Sequence, residues 1–233
     1  MSRKRLRAVL CDIDGTLLDS VDLHARAWQE AFRHFDRVIP FEQVRSQIGK
    51  GGDQLMPVFF TSEELERFGR DLAAYRSRLF KQKYLPQVRP FPQVRELFER
   101  ILSDGRRIAL ASSARGDELE AYKQIAGIAD LIEEETSSDD VERSKPHPDV
   151  FASALEKLGD IGADEAVAVG DTPYDAEAAG KIGLRTIGML CGGFPPADLR
   201  AAGCLELFRD PADLLARYEQ SPLAVRSARE QRA

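Results

Sequence analysis

Val9-Leu10-Cys11-Asp12-Ile13-Asp14-Gly15-Thr16-Leu17-Leu18-Asp19-Ser20 is a short apolar run that ends abruptly in two aspartates and a glycine. Ala8 to Leu10 read as the buried core of a strand, and Gly15 reads as the turn that stops it. Asp12 and Asp14 are two residues apart, so an extended backbone puts both carboxylates on one face at the strand's C-terminal end. Carboxylates crowded in this way repel each other unless positive charge sits between them. A hard cation with oxygen ligands meets that need, and Mg²⁺ fits best. Asp14-Gly15 is also an ordinary turn sequence, so this stretch alone is balanced between a turn and a site.

Outward from it, strand and helix signals alternate through the C-terminal half. Residues 107–112, 166–170, 185–190 and 205–208 read as strands, with a weaker one at Leu131-Ile132. Residues 117–125, 149–158, 175–182 and 211–217 read as helices, the last opened by Asp210 as N-cap with Pro211 at its first position. This alternation predicts an α/β fold: a doubly wound, Rossmann-like parallel sheet with helices on both faces. Residues 20–87 differ. Residues 21–35, 63–68 and 72–80 carry apolar side chains at helical spacing, and strand candidates are nearly absent. The expectation is a core of residues 1–19 and 88–220, with an α-helical cap inserted at 20–87. The crossings near 16–20 and 84–90 would be hinges, the second marked by Pro86, Pro90 and Pro92. Residues 221–233 read as a polar tail, frayed or disordered.

The 233 residues suit a main domain with a smaller insert, and 43% apolar residues can build a core. With 33 basic and 39 acidic residues the net charge is −6, which gives no sign of a nucleic-acid surface. Cys11, Cys191 and Cys204 are far apart, odd in number and without metal-site spacing. The basic start is followed by too short an apolar run for a signal peptide, and no segment approaches membrane-spanning length. The expected location is the cytoplasm, and the expected partner is a small molecule, with neither nucleic acid nor membrane. Oligomeric state is not legible.

Each strand that leads into a polar cluster ends in chemically useful residues. The first delivers Asp12 and Asp14, and the second Ser112 and Ser113. Ser144-Lys145-Pro146-His147-Pro148-Asp149 precedes a helix, and the next strand delivers Gly170-Asp171-Thr172-Pro173-Tyr174-Asp175. In a parallel sheet these ends share one edge. Carboxylates, a hydroxyl, a lysine and glycine-turn amides there suit a phosphate held beside Mg²⁺. Four motifs in this order, with a helical insert after the first, resemble the haloacid dehalogenase-like hydrolase superfamily. The likeness is to its helical-cap group, which includes phosphoglycolate phosphatase and β-phosphoglucomutase, and it runs to about Tyr218.

The resemblance implies that Asp12 attacks phosphorus and becomes an aspartyl phosphate. It implies that Asp14 protonates the leaving oxygen and later deprotonates water. Ser112 would hydrogen-bond the transferring oxygens and Lys145 would offset their charge. Mg²⁺ would be held by Asp12, the Asp14 carbonyl and Asp171, with Asp175 supporting it. Family members that cleave carbon–halogen or carbon–phosphorus bonds lack the second aspartate, so Asp14 points to a phosphate ester. The expected substrate is phosphoglycolate-like or a sugar phosphate. A β-phosphoglucomutase-like phosphosugar mutase is the alternative.

Four more residues are candidates for contact with substrate. Thr16 is a turn residue or a phosphate contact, and Ser113 a turn residue, an N-cap or a ligand. His24 resembles a mutase histidine that couples cap closure to acid–base work. Lys50, in Gly49-Lys50-Gly51-Gly52, would touch the leaving group. Trp28 reads as cap core, and Arg76, Arg78, Lys81 and Lys83 as a solvated basic face.

Overall fold

The computed structural model describes residues 5–224. The chain begins with β1 (Ala8–Cys11) and the two-residue β2 (Leu18–Asp19), followed by α1 (Val21–His34), α2 (Phe41–Arg45), α3 (Gly52–Leu55) and α4 (Ser62–Leu79). After β3 (Arg89–Pro90) come α5 (Val94–Ser103), β4 (Arg107–Ala111), α6 (Gly116–Ala126) and β5 (Glu134–Thr136). The remainder is α7 (Asp149–Lys157), β6 (Ala166–Gly170), α8 (Pro173–Gly180), β7 (Arg185–Met189), α9 (Pro196–Ala201), β8 (Cys204–Phe208) and α10 (Pro211–Ala216).

Six strands form one sheet in the order β5-β4-β1-β6-β7-β8, and every pairing in it is parallel. The strand period of two sends alternate residues of β1 to opposite faces. Val9 and Cys11 join an apolar layer with Leu97 and Phe98 of α5 and Leu119 and Tyr122 of α6. Ala8 and Leu10 join a second layer with Val150 and Phe151 of α7 and Ala178 and Ala179 of α8. Burial on both faces explains why β1 and β6 read as unbroken apolar runs. Connections lead outward in one direction from β4 and in the other from β6. The crevice beyond the C-terminal ends of β1, β4 and β6 is therefore the switch point where such sheets bind ligands.

The strand expected at Leu131-Ile132 lies instead at Glu134–Thr136. Leu131 and Ile132 supply apolar contact to the core. At the sheet's edge the strand itself needs no apolar alternation, so a half-buried, acidic segment pairs with β4. The two helical patches at 63–68 and 72–80 merge into the single α4. Thr61 caps it reciprocally with Glu64, the hydroxyl accepting the Glu64 N–H and the carboxylate accepting the Thr61 N–H.

Residues 21–87 hold helices and one isolated bridge between Ile48 and Lys50. They have an apolar cluster of their own around Trp28, Phe32, Leu55 and Leu72. The chain leaves the core at Leu18–Asp19 and returns at Arg89–Pro90, and these two segments pair antiparallel. The expected hinges are thus tied to each other. The core extends to Leu223, which is fully buried within the stretch expected to be a polar tail; residues 225–233 of that expectation lie outside the described residues. Among the described residues no helix is long and apolar enough to cross a membrane.

Candidate active site

Three carboxylates meet beyond the strand ends. Asp12 follows β1, its N–H donating to the Val169 carbonyl at 2.9 Å. Asp171 follows β6, and Asp175 lies in the first turn of α8. One oxygen from each lies within 4.8 Å of the others, and all three residues are buried. Lys145, fully buried, contacts Asp12 and stands 2.8 Å from Asp175. One ammonium thus contacts two of the three carboxylates. Asp171 Oδ2 is buried without a hydrogen-bond partner among the described residues.

Local chemistry explains each placement. Asp175 and Thr172 cap α8 reciprocally: the Thr172 N–H and hydroxyl both donate to Asp175 Oδ2, at 3.0 and 2.7 Å, and the Asp175 N–H donates to Thr172 Oγ1. Gly15 has φ +82°, and a Cβ there would fall 2.7 Å from Asp171 Cγ. A Cβ on Gly192 would fall 2.6 Å from Asp171 Cβ. Two glycines therefore let backbone close around Asp171.

Burial pushes the Asp12 carboxyl up, Asp175 and Asp14 add to the rise, and Lys145 only partly offsets it, leaving it at about 7. Asp171 is pushed well above the usual carboxylate range by burial, then by Asp12 and Asp175. For Lys145, burial works against the charge, but Asp12 and Asp175 outweigh it and the ammonium is held above its ordinary value.

Asp14 does not join this group. The strand has ended by then, and Ile13's carbonyl accepts the N–H groups of Thr16, Leu17 and Leu18 in a tight turn. The Asp14 carboxylate accepts from the Ser20 hydroxyl at 2.5 Å and lies 2.8 Å from His24 Nε2. The two aspartates expected side by side on one face therefore divide, one toward Lys145 and one toward the helical insert. Burial raises the Asp14 carboxyl, but His24, Ser20 and Arg76 outweigh it and hold it below the usual range.

A cavity of about 450 Å³ opens between core and insert, with Asp12 and Asp14 in its wall beside His24, Lys50 and Ser113. Lys50 donates to Gln47 at 2.6 Å and lies over the Tyr174 ring, and its burial lowers its pKa. The Ser113 hydroxyl is buried with no hydrogen-bond partner among the described residues. Ser112 and Thr16 stand back from the wall, as Lys145, Asp171 and Asp175 do. Ser112 is fully buried and its hydroxyl accepts the Ala114 N–H at 3.0 Å. Thr16, expected as a turn residue or phosphate contact, is fully buried too, and its hydroxyl donates to Asp171 at 3.0 Å. Its side chain orients a carboxylate.

The insert is docked on the core around this cavity. The Gly51 N–H donates to Ser144 Oγ at 2.9 Å, and Ser144 Oγ donates to Asp53 at 2.5 Å. Arg45 reaches the Gly192 carbonyl at 2.9 Å, and the Tyr174 hydroxyl donates to the Ser46 carbonyl at 2.7 Å. Arg76, read from sequence as part of a solvated basic face, lies in the cavity wall and contacts His24 Nδ1. The signal was present in the chain: Leu72, Arg76 and Phe80 recur every four residues, and the flanking two are fully buried. Glu118 and Tyr122, one turn apart on α6, also face the insert: Ser77 donates to Glu118 at 3.1 Å, and the Tyr122 hydroxyl is 3.0 Å from His24 Nε2. Trp28, read as cap core, packs in that cluster and also borders the cavity.

A family model described as haloacid dehalogenase-like hydrolase matches residues 9–189. A phosphoglycolate phosphatase of Yersinia pseudotuberculosis is 33% identical over 198 residues, covering 81% of this chain and 83% of that protein. A putative pyrophosphatase PpaX of Clostridium perfringens is 25% identical over 190 residues, covering 82% of this chain and 86% of its own length. Among solved structures, a hydrolase from Pseudomonas syringae superposes with a TM-score of 0.80 at 29% identity, covering 92% of this chain and 98% of that one.

Proposed function

The chain belongs to the haloacid dehalogenase-like hydrolase family, and we propose that it is a Mg²⁺-dependent phosphatase of small phosphate monoesters that carries the phosphoryl group on Asp12. The family match and the relatives named as phosphatases support a phosphoric monoester hydrolase. One observation carries the mechanism: Asp12 faces the cavity while buried Lys145 holds it from behind, with Asp171 and Asp175 crowded alongside.

The donor set fits the metal. Asp12, Asp171 and Asp175 offer hard oxygen ligands, and among the described residues Asp171 has a buried oxygen without a partner and a single ammonium leaves the group short of positive charge. Bound there, Mg²⁺ would neutralise phosphoryl oxygens and relieve repulsion between a carboxylate nucleophile and its anionic target. The Asp14 carbonyl would be a further ligand.

Asp12 attacks phosphorus, forming an acyl phosphate as the bond to the ester oxygen breaks. Lys145 holds Asp12 in place and offsets charge on the transferring group. Ser113, in the cavity wall with no other hydroxyl partner among the described residues, would donate its hydroxyl hydrogen to the phosphoryl oxygens, and Ser112, set back behind it and bonded to the Ala114 N–H, would offer its own from there. Asp14 protonates the leaving oxygen, then takes the proton of the water that cleaves the acyl phosphate. Held ionised in the free protein, it first takes up a proton from solvent, which the phosphate dianion beside it favours by raising its proton affinity. Residues 20–87 act as the cap: their docking contacts shield the first transfer from bulk water. Lys50 and His24 would face the leaving group.

The test is a panel containing phosphoglycolate, sugar phosphates and inorganic pyrophosphate, assayed for released phosphate with Mg²⁺ and with EDTA. Release from monoesters that EDTA abolishes is expected; release that survives EDTA contradicts the reading. Because His24 resembles a mutase residue and lies against Asp14, β-glucose 1-phosphate belongs in the panel. Its conversion to the 6-phosphate with little free phosphate would identify a phosphosugar mutase instead.

Metal removal also has a stability signature. Between pH 3.8 and about 7 the folded state keeps a proton on Asp12 that the unfolded chain has already lost. The metal-free protein therefore loses stability as pH rises through that window. Mg²⁺ bound by Asp12, Asp171 and Asp175 would offset the repulsion, so its effect on the thermal midpoint is expected to be small at pH 5 and large at pH 8. At a hundredfold excess over Kd the stabilisation is about 2.7 kcal/mol. Equal shifts at the two pH values contradict the metal site.

A further inference from the structure

We propose that Glu118 is a positioning residue: from the core it holds Arg76 of α4, and through Arg76 and His24 it aligns Asp14 only while the insert is docked. The inference rests on the phosphatase reading above, in which Asp14 moves the proton of the leaving group.

Glu118 is 2% exposed, yet it borders the cavity. Its partners come from the insert: the Ser77 hydroxyl at 3.1 Å and Arg76 Nη1 at 3.5 Å. Arg76 in turn packs against the rings of Trp28 and Phe80 and contacts His24 Nδ1. A guanidinium has only donors, so Nδ1 must accept, and the ring proton lies on Nε2. That nitrogen faces Asp14 Oδ1 at 2.8 Å and the Tyr122 hydroxyl at 3.0 Å. The ring is further fixed by stacking on Phe80, with centroids 4.1 Å apart. A continuous chain of contacts thus runs from a core carboxylate, through two insert side chains, back to a catalytic carboxylate of the core.

Its crossing points matter. Glu118 and Tyr122 lie one turn apart on α6, so one helix face meets Arg76, Ser77 and His24 together. Undocking separates Glu118 from Arg76 and Ser77, and Tyr122 from His24. Arg76 then has no carboxylate to hold it against His24, and the imidazole loses the donor that fixes its tautomer. A buried ion pair of this kind adds little net stability, and breaking it strands the remaining charge. Here the pair orients an acid, and small misplacements of a reacting group cost about 100-fold in rate.

The leaving group reads this out. kcat/KM covers the steps through the first transfer, in which Asp14 protonates the departing oxygen. An alkyl alkoxide needs that proton; p-nitrophenolate leaves without it. Glu118→Gln and Arg76→Gln, in the full chain, are expected to lower kcat/KM for the panel's best alkyl phosphate by about 30- to 100-fold. For p-nitrophenyl phosphate the expected change is within about threefold, since general-acid assistance contributes little there. The two variants carry the test separately if one folds poorly, as judged by its thermal midpoint. Equal losses on both esters, or no loss on the alkyl ester, overturn the positioning role. A wild-type chain inactive on both esters overturns the phosphatase reading, and this inference with it.

Discussion

Asp12→Asn is expected to lower phosphate release from every ester by at least about 10⁴-fold, because the amide cannot form the acyl phosphate on which both half-reactions depend. The loss should come without unfolding. Asp12 is buried beside Asp171 and Asp175, and burial with neighbouring negative charge already works against its ionised form. An isosteric neutral side chain relieves that repulsion, although Lys145 gives up one of its two carboxylate contacts. The metal-free variant's thermal midpoint at pH 8 should therefore match or exceed the wild type's. A variant that is inactive and also unfolded would leave Asp12 a structural residue. One that keeps a tenth of the activity would rule it out as nucleophile.

Lys145→Met should have the largest effect on stability. It leaves three buried carboxylates without their ammonium, and breaking a buried pair by removing one partner costs about 3–5 kcal/mol. The sign with pH is specific. Without Lys145 the Asp12 and Asp171 carboxyls are pushed further above their unfolded values, so the folded state binds more protons and loses stability as pH rises. The deficit measured by denaturant unfolding should be small near pH 5, where protonation discharges Asp12 and Asp171, and full at pH 8. Mg²⁺ should restore part of it. A deficit equal at both pH values would mean that Lys145 acts by packing against Phe151 rather than by charge.

The sheet was legible because its signals are local and redundant. β1, β4, β6 and β7 are apolar runs buried on both faces, each ending in a glycine or polar turn. The acidic group was legible for a related reason: a parallel sheet brings the ends of separate strands to one edge, so Asp12 and Asp171 could be assigned without knowing any angle. Three kinds of information were not. The edge strand β5 has no apolar period, since pairing on one side and partial exposure impose none. The turn after Asp12 sends Asp14 to Ser20 and His24, a divergence that spacing along an ideal strand cannot express. The meeting of Arg76 with Glu118 depends on how two helices from different parts of the chain are docked. Arg76 shows how little was missing: its place between two buried residues on one helical stripe outweighs the basic residues that follow it.

The most direct test of the mechanism is to quench wild-type turnover with acid and weigh the peptides. The expected result is one phosphoryl group on the peptide carrying Asp12, present during turnover and absent from Asp12→Asn. Phosphate release with no phosphorylated peptide, or a phosphoryl group on any other residue, would contradict the mechanism.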